Sequence, residues 1–362
     1  VKILHLEAGR HLYGGARQVG YLIDGLAANG VENLLVCTEG HELAMHSAAQ
    51  VFEWRLGGDL DFSIGRRLAE LAREQQADLI HVHSRRGADS FGGRAAERAA
   101  IPAILTRRVQ SAEPGFWFRW KSRPYQAIVA ISTAVHAELS GLGIADQRLR
   151  LIPSAVDTAL FRPDPLARGR LVSRYGLSAD ALIGGAAAQL IHRKGLDNLL
   201  PLTAKLVTTN PNFRLLLFGQ GPDRPRLERE VVRLGLDRQI VCCGFERDWP
   251  ALLPGLDVLL HPARREGLGV AVLEAMSAGV PVVASAAGGI VDLIDDGVDG
   301  RLLMPGAQDA WYDAVHALLV DPERRETFAK IARRKIASRF TIERMTDSYL
   351  TLYREVLDHG SG

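Results

Sequence analysis

The sequence predicts an α/β protein of two doubly wound units, each a parallel sheet covered by helices on both faces. Three observations carry this reading. Short apolar runs alternate with helix-patterned segments along most of the chain, which is how strands buried on both faces read. The rhythm breaks at Phe161-Arg162-Pro163-Asp164-Pro165, where the prolines interrupt any regular element, and then restarts. A length of 362 residues is also more than one hydrophobic core usually serves. The predicted units are 1–163 and 164–340, with a terminal helix over 341–362 expected to pack back on the first unit.

In the first unit the apolar runs at 1–6, 34–38, 79–83, 103–106, 127–131 and 149–152 are too short for helices and read as strands. Segments 17–29, 65–75, 87–100 and 133–142 carry helical spacing, the first of them stopped by Gly30. The second unit repeats the order, with strands at 183–189, 214–219, 239–243, 258–261, 281–285 and 300–304 and helices at 195–209, 224–234, 270–278 and 310–320. In open α/β sheets, ligands bind beyond the carboxyl ends of the strands. Candidate residues fall at those ends in both halves: Gly14-Gly15, His83, Thr106-Arg107-Arg108, Lys194, Gly219-Gln220-Gly221 and Glu266. Their convergence on one cleft between two facing units is a prediction from topology.

Composition excludes several classes. Hydrophobic residues at 47% and charged residues at 24% are ordinary for a soluble globular chain, and a net charge of +2 gives no bulk affinity for nucleic acid. Cys37, Cys242 and Cys243 make no disulfide framework and read as buried, reduced thiols. No run reaches the roughly 18 apolar residues of a membrane span, and nothing at the start reads as a leader, so the expectation is a cytoplasmic protein. Charge is nonetheless uneven: residues 85–123 hold nine Lys/Arg against three Asp/Glu and end in Gly115-Phe-Trp-Phe-Arg-Trp-Lys-Ser-Arg123. Aromatics interleaved with cations suit the inner face of the cytoplasmic membrane or an anionic acceptor. The plainer reading is a solvated face with aromatics packed beneath it.

The most informative stretch is Glu266-Gly-Leu-Gly-Val-Ala-Val-Leu-Glu274, two carboxylates eight positions apart. The first lies in a glycine-punctuated loop and the second inside the helix expected to follow. A helix start offers free N–H groups and a positive dipole end for a phosphate, and carboxylates on either side accept from hydroxyls. A ligand with hydroxyls, then a diphosphate, then more hydroxyls fits, and a nucleotide sugar is such a ligand. Gly14 and Gly15 would let the first-unit backbone approach the diphosphate.

The second half resembles the retaining glycosyltransferases of family 4, which have the two-domain GT-B fold of facing Rossmann-like domains. The resemblance rests on His261-Pro262, Glu266-Gly267-Leu268-Gly269, Glu274-Ala275, Gly279-Val-Pro281-Val-Val-Ala and Ala287-Gly288-Gly289. Arg193-Lys194-Gly195, Phe218-Gly219-Gln220-Gly221-Pro222 and Cys243-Gly244-Phe245 agree with it. The first half agrees more weakly, through Gly14-Gly15-Ala16-Arg17, His81-Val82-His83-Ser84 and Ile131-Ser132. The resemblance implies that Glu266 accepts from hydroxyls of the donor sugar and that Glu274 holds the ribose. It implies that the amides of Gly267, Leu268, Gly269 and Val270 meet the diphosphate, and that Lys194 clamps it. Phe245 would border the base, and Gly219 and Gly221 would make room for the nucleotide. The family usually has an arginine where this chain has Gln189, and Arg193 is a candidate second cation. Many members carry a histidine after the strand that here ends in Thr106-Arg107-Arg108; these arginines would bind an anionic acceptor or the donor phosphates. His83 is the nearest histidine candidate for catalysis, with a structural role as its alternative. The resemblance also implies no bound metal and no cofactor, and Asp59-Leu60-Asp61 reads as loop chemistry.

The implied reaction moves a sugar from a nucleoside-diphosphate donor to a hydroxyl of a glycan or lipid-linked acceptor, as in lipopolysaccharide, capsule or glycolipid assembly. Retention through two inversions needs a nucleophilic carboxylate that the motifs do not supply. Front-face attack, with the departing phosphate taking the acceptor proton, is the version the resemblance favours. A nucleotide-sugar epimerase, a phosphorylase and a non-catalytic nucleotide-sugar-binding subunit are the alternatives.

Overall fold

The computed structural model describes residues 1–9, 14–45, 48–85, 87–109 and 113–359. The chain divides into two compact units, residues 1–155 with 342–362, and residues 156–341. Residues 156–163, placed by the sequence reading in the first unit, therefore belong to the second.

The first unit runs β1 (Lys2–Glu7), α1 (Gly14–Ala28), β2 (Glu32–Thr38), β3 (Gln50–Trp54), α2 (Ser63–Glu74), β4 (Leu79–Val82), α3 (Ala88–Ala99), β5 (Ala103–Arg107), α4 (Gly115–Ser122), β6 (Ala127–Ala130), α5 (Thr133–Gly141) and β7 (Leu149–Leu151). Its seven strands are ordered β3-β2-β1-β4-β5-β6-β7, and all pair in parallel. Winding reverses between β1 and β4, which pair with His5 opposite His81.

The second unit runs α6 (Ala167–Tyr175), β8 (Leu182–Ala187), α7 (Leu199–Thr209), β9 (Phe213–Phe218), α8 (Arg224–Arg233), β10 (Ile240–Gly244), α9 (Trp249–Leu252), β11 (Val258–His261), α10 (Val270–Ser277), β12 (Val282–Ser285), β13 (Arg301–Leu303), α11 (Gln308–Val320) and α12 (Pro322–Arg339). Its six parallel strands are ordered β10-β9-β8-β11-β12-β13, with the reversal between β8 and β11.

The last helix, α13 (Ile342–His359), completes the first unit. Its buried residues Met345, Tyr349, Leu352, Tyr353 and Val356 form one stripe at helical spacing. That stripe packs with Leu22 and Leu26 of α1 on a sheet face made by Ile3, Leu79, Ile104 and Val129. Gly25 of α1 permits the close approach, because a Cβ there would collide with the Thr346 hydroxyl. Side chains alternate across a sheet, so this face continues along the strands from Ile3 to His5, from Leu79 to His81, and from Ile104 to Thr106. An apolar layer thus gives way to a polar one toward the carboxyl ends.

Candidate active site

In the second unit the decisive residues gather at the carboxyl ends of β8 and β11. Glu266 follows β11 and is only 9% exposed. Its Oε2 accepts from His261 Nε2 at 2.9 Å and is ion-paired with Lys194 Nζ, while Oε1 accepts the Gly267 N–H at 3.1 Å. The acceptor is a carboxylate, so Nε2 of His261 carries its proton. Burial by itself would raise the Glu266 carboxyl, but Lys194 and the His261 hydrogen bond overcome it and hold the group well below the usual carboxylate range. Oε1 keeps a second lone pair for an incoming hydroxyl.

Lys194 reaches Glu266 because its turn is braced. Arg264 donates to Asp197 at 2.8 and 3.0 Å and to the His192 carbonyl at 2.8 Å. Arg193 contributes differently: its carbonyl accepts from the amides of Arg264 and Arg265, and its guanidinium has no ion-pair partner among the described residues. Gln189 lies in the turn after β8, with its carbonyl accepting from Ile191 N at 2.9 Å.

Gly269 begins α10 with φ +103, a left-handed backbone that suits glycine, and a Cβ there would run into Ile290. Gly267, Leu268, Gly269 and Val270 therefore form a tight entry to the helix, whose first amides have no partner within the helix. Glu274 lies on α10, buried, and accepts from Trp249 Nε1 at 2.9 Å, so it is not a helix-surface glutamate. Phe245 stands 45% exposed at the turn after β10. Gly219 (φ +129) and Gly221 are required by the protein itself, since a Cβ on either would strike the backbone of Ala188 or Leu190.

In the first unit, strand alternation separates the two arginines. Arg107 turns to the α3–α4 side, buried, and pairs with Asp89 at 3.3 Å and Glu113 at 3.2 Å, with its guanidinium over Phe118. It is a structural ion-pair member rather than the acceptor-binding group that the sequence suggested. Lys121 joins the same cluster, 2.6 Å from Asp89 and paired with Glu113. Arg108 leaves on the other side, with its stem 3.5 Å from where a Cβ on Gly15 would stand, beside the first turn of α1 that Gly14 opens. His83 follows β4, is buried, and holds His5 Nδ1 at 2.9 Å through Nε2.

Among the described residues, His5, His81 and His83 are a histidine cluster with metal-ligand atoms close together. Five of their six ring nitrogens are already hydrogen-bonded, to Asn33, Tyr353, Thr106 and each other. That is a polar network with one bare nitrogen, not three lone pairs converging on an ion. Asp61 caps its own turn, accepting from Gly57 N and Ser63 N. A groove of about 1060 Å³ lined by Pro102, Arg123, Gln126, Arg148 and Glu355 opens at the amino ends of β5–β7, opposite the strand-end motifs. Sequence reasoning did not single out His261, Trp249 or Arg264 as site residues; His261 stood inside the motif, while the other two are joined to it only by the fold.

The profile "Glycosyl transferases group 1" matches residues 176–335, and "Glycosyltransferase Family 4" matches residues 13–160. The chain belongs to glycosyltransferase family 4. A 2-deoxystreptamine glucosyltransferase of Streptomyces kanamyceticus is 29% identical over 309 residues, 80% of each chain. An N-acetyl-alpha-D-glucosaminyl L-malate synthase of Bacillus anthracis is 23% identical across 98% of this chain and 93% of its own. The Anabaena protein Alr3699/HepE, solved in complex with UDP and glucose, superposes with a TM-score of 0.86 at 22% identity, covering 97% of this chain and 99% of its own. The fold is therefore GT-B, and the protein is a glycosyltransferase. Among the described residues, no helix is long and apolar enough to cross a membrane.

Proposed function

We propose that the protein transfers a sugar from a nucleoside-diphosphate donor to an acceptor hydroxyl with retention of anomeric configuration. The observation that carries this is Glu266, buried and held ionised by Lys194 and His261 directly ahead of the α10 amino terminus. Glu266 Oε1 accepts from a donor-sugar hydroxyl, and its charge favours the cationic character that develops at the anomeric carbon. Lys194 has three N–H donors, so it can shift toward the diphosphate and stabilise the leaving group. The α10 amides support the same charge, and Glu274 accepts from the ribose. HepE, with its bound UDP and glucose, is consistent with this class of donor.

A carboxylate oxygen already engaged by Lys194 and by the His261 hydrogen bond is a weak nucleophile, which favours front-face attack over a covalent intermediate. The bond from the anomeric carbon to phosphate breaks, and its electron pair leaves with the nucleoside diphosphate. The acceptor oxygen bonds to the same face, and its proton passes to the departing phosphate oxygen. None of these steps requires a metal ion or a cofactor.

On this reading the first unit holds the acceptor, and the exposed face of α4 supports a glycan or lipid-linked molecule at a membrane surface. Phe116, Trp117 and Trp120 are exposed there, the two tryptophans stacked at 4.8 Å and Arg94 lying 4.0 Å over Trp120. Such a face suits the anionic inner surface of the cytoplasmic membrane. The test of the reaction is turnover of UDP-, GDP- and ADP-sugars by wild type and Glu266→Gln. Nucleotide release from one donor that the variant abolishes supports the reading. Equal release by the variant contradicts it.

A further inference from the structure

The polar layer of the first unit ends in groups that the donor site does not use. Asn33 fixes the direction of its hydrogen bonds. Its amide nitrogen donates to the Ile23 and Val31 carbonyls, so its Oδ1 accepts from His5 Nε2 at 3.1 Å. With its proton on Nε2, neutral His5 offers Nδ1 as an acceptor, and His83 Nε2 must donate to it at 2.9 Å. The remaining nitrogen of His83, Nδ1, is then a bare lone pair. It is buried and has no partner, on a side chain only 3% exposed. Buried polar atoms in native proteins are nearly always paired, so an orphaned acceptor at a strand end is a candidate for a functional role.

Arg108 supplies the complement. It follows Thr106 by two residues on the same face, and Thr106 Oγ1 meets His81 Nε2 at 2.8 Å. Its Nε and Nη2 are likewise buried without a partner. Both orphans stand at the carboxyl end of the sheet, His83 at the point where its winding reverses, the usual ligand position in open α/β sheets. Burial, then the nearby charges of His81, His5 and Arg108, push His83 well below the ordinary histidine range, so Nδ1 is unprotonated near neutral pH.

We propose that this end of the first sheet binds an acceptor whose reacting hydroxyl lies close to an oxyanion, with Arg108 Nε and Nη2 donating to a phosphate or carboxylate and His83 Nδ1 accepting from the hydroxyl. Asn33 and His5 are positioning residues that set the tautomer of His83. His83 is too weak a base to remove the proton; it orients the hydroxyl. This assignment rests on the nucleotide-sugar reading above and adds to it the chemical class of the acceptor.

The experiment is titration of the full-length protein, loaded with whichever of UDP, GDP or ADP stabilises it. The phosphate arm uses sn-glycerol 3-phosphate, with methyl phosphate lacking the hydroxyl and glycerol lacking the anion. The carboxylate arm uses L-malate against succinate. At least one hydroxylated anion binds wild type and glycerol does not; the arm that binds names the anion. Arg108→Gln weakens that binding by about tenfold or more, the size of a lost charged hydrogen bond, and leaves nucleotide affinity unchanged. Arg108→Lys recovers part of it. His83→Leu weakens the hydroxylated probe but not its hydroxyl-free partner. Anion binding indifferent to Arg108→Gln, no anion binding in nucleotide-loaded wild type, or a loss of nucleotide affinity in Arg108→Gln overturns the proposal; the last gives Arg108 to the donor diphosphate. Failure of every nucleotide to bind wild type counts against the donor reading alone, and the anion arms on unloaded protein still decide the subsite.

Discussion

A buried carboxylate stays ionised only when its neighbours hold the charge. At Glu266, Lys194 and His261 do so on one oxygen, and the other keeps a place for a hydroxyl. Glu266→Gln preserves the shape and removes the charge, so turnover falls about 10²- to 10³-fold, the range seen for a lost electrostatic contact to a transition state. Nucleotide release by the folded variant checks this. Trp249→Phe removes one donor from buried Glu274 and lowers stability by about 1–3 kcal/mol, as urea unfolding would measure. Glu266 and Lys194 were legible in the sequence because both stand in motifs at strand ends. Trp249 was not, since nothing local ties it to Glu274. The pair Arg107-Arg108 was read as one feature, although strand alternation sends neighbours to opposite faces; one became a buried ion-pair member and the other faces the polar layer.

At the scale of elements, α4 shows how composition can mislead. The basic excess of residues 85–123 around it is partly consumed inside the protein, because Lys121 and Arg107 are buried against Asp89 and Glu113. Lys121→Ala leaves buried charge uncompensated and destabilises by about 3–5 kcal/mol, measured by denaturation. Trp117→Ser with Trp120→Ser leaves the fold intact and lowers sedimentation with anionic vesicles; unchanged sedimentation excludes this face as the membrane contact. The layer under α13 makes the first unit acid-sensitive. Burial, partly offset by the Asn33 hydrogen bond, lowers His5 from 6.5 to about 4. Above pH 6.5 His5 is neutral folded or unfolded and nothing is lost; as the pH falls from there toward about 4, only the unfolded chain takes the proton. Stability therefore drops with acid, by on the order of 2 kcal/mol between about pH 7 and about pH 5 from His5 alone. Urea midpoints at the two pH values check it, and a flat profile contradicts it. Helix α12 escaped the sequence reading because its buried stripe is narrow, only Phe328, Ala332 and Ile336. Its start was written in Asp321-Pro322, where the carboxylate accepts from Arg324 N at 2.9 Å. Strand β3 was missed because it is a half-exposed edge strand without a continuous apolar run.

At the scale of the molecule, the two units are variations on one plan. Each sheet reverses its winding once, between β1 and β4 or between β8 and β11, and a histidine stands at the carboxyl end beyond each reversal. His261 serves an anion, while His83 is kept neutral by burial first and then by His81, His5 and Arg108. This plan was the most legible feature of the chain, because parallel strands buried on both faces are continuous apolar runs, and proline and glycine mark the breaks. The polar layer was not legible, because it is assembled from β1, β4, β5 and α13, residues as far apart as His5 and Tyr353. The central claim is that the second unit holds a nucleoside diphosphate through Lys194 and the α10 amino terminus. The most direct measurement is the thermal stabilisation of wild type and Lys194→Gln by UDP, GDP and ADP at equal excess. At a hundredfold excess over Kd, a ligand of the native state adds about 2.7 kcal/mol. The account expects one nucleotide to raise the melting temperature of wild type, and a folded Lys194→Gln to lose that rise. No rise with any of the three, or an equal rise in the variant, would contradict it.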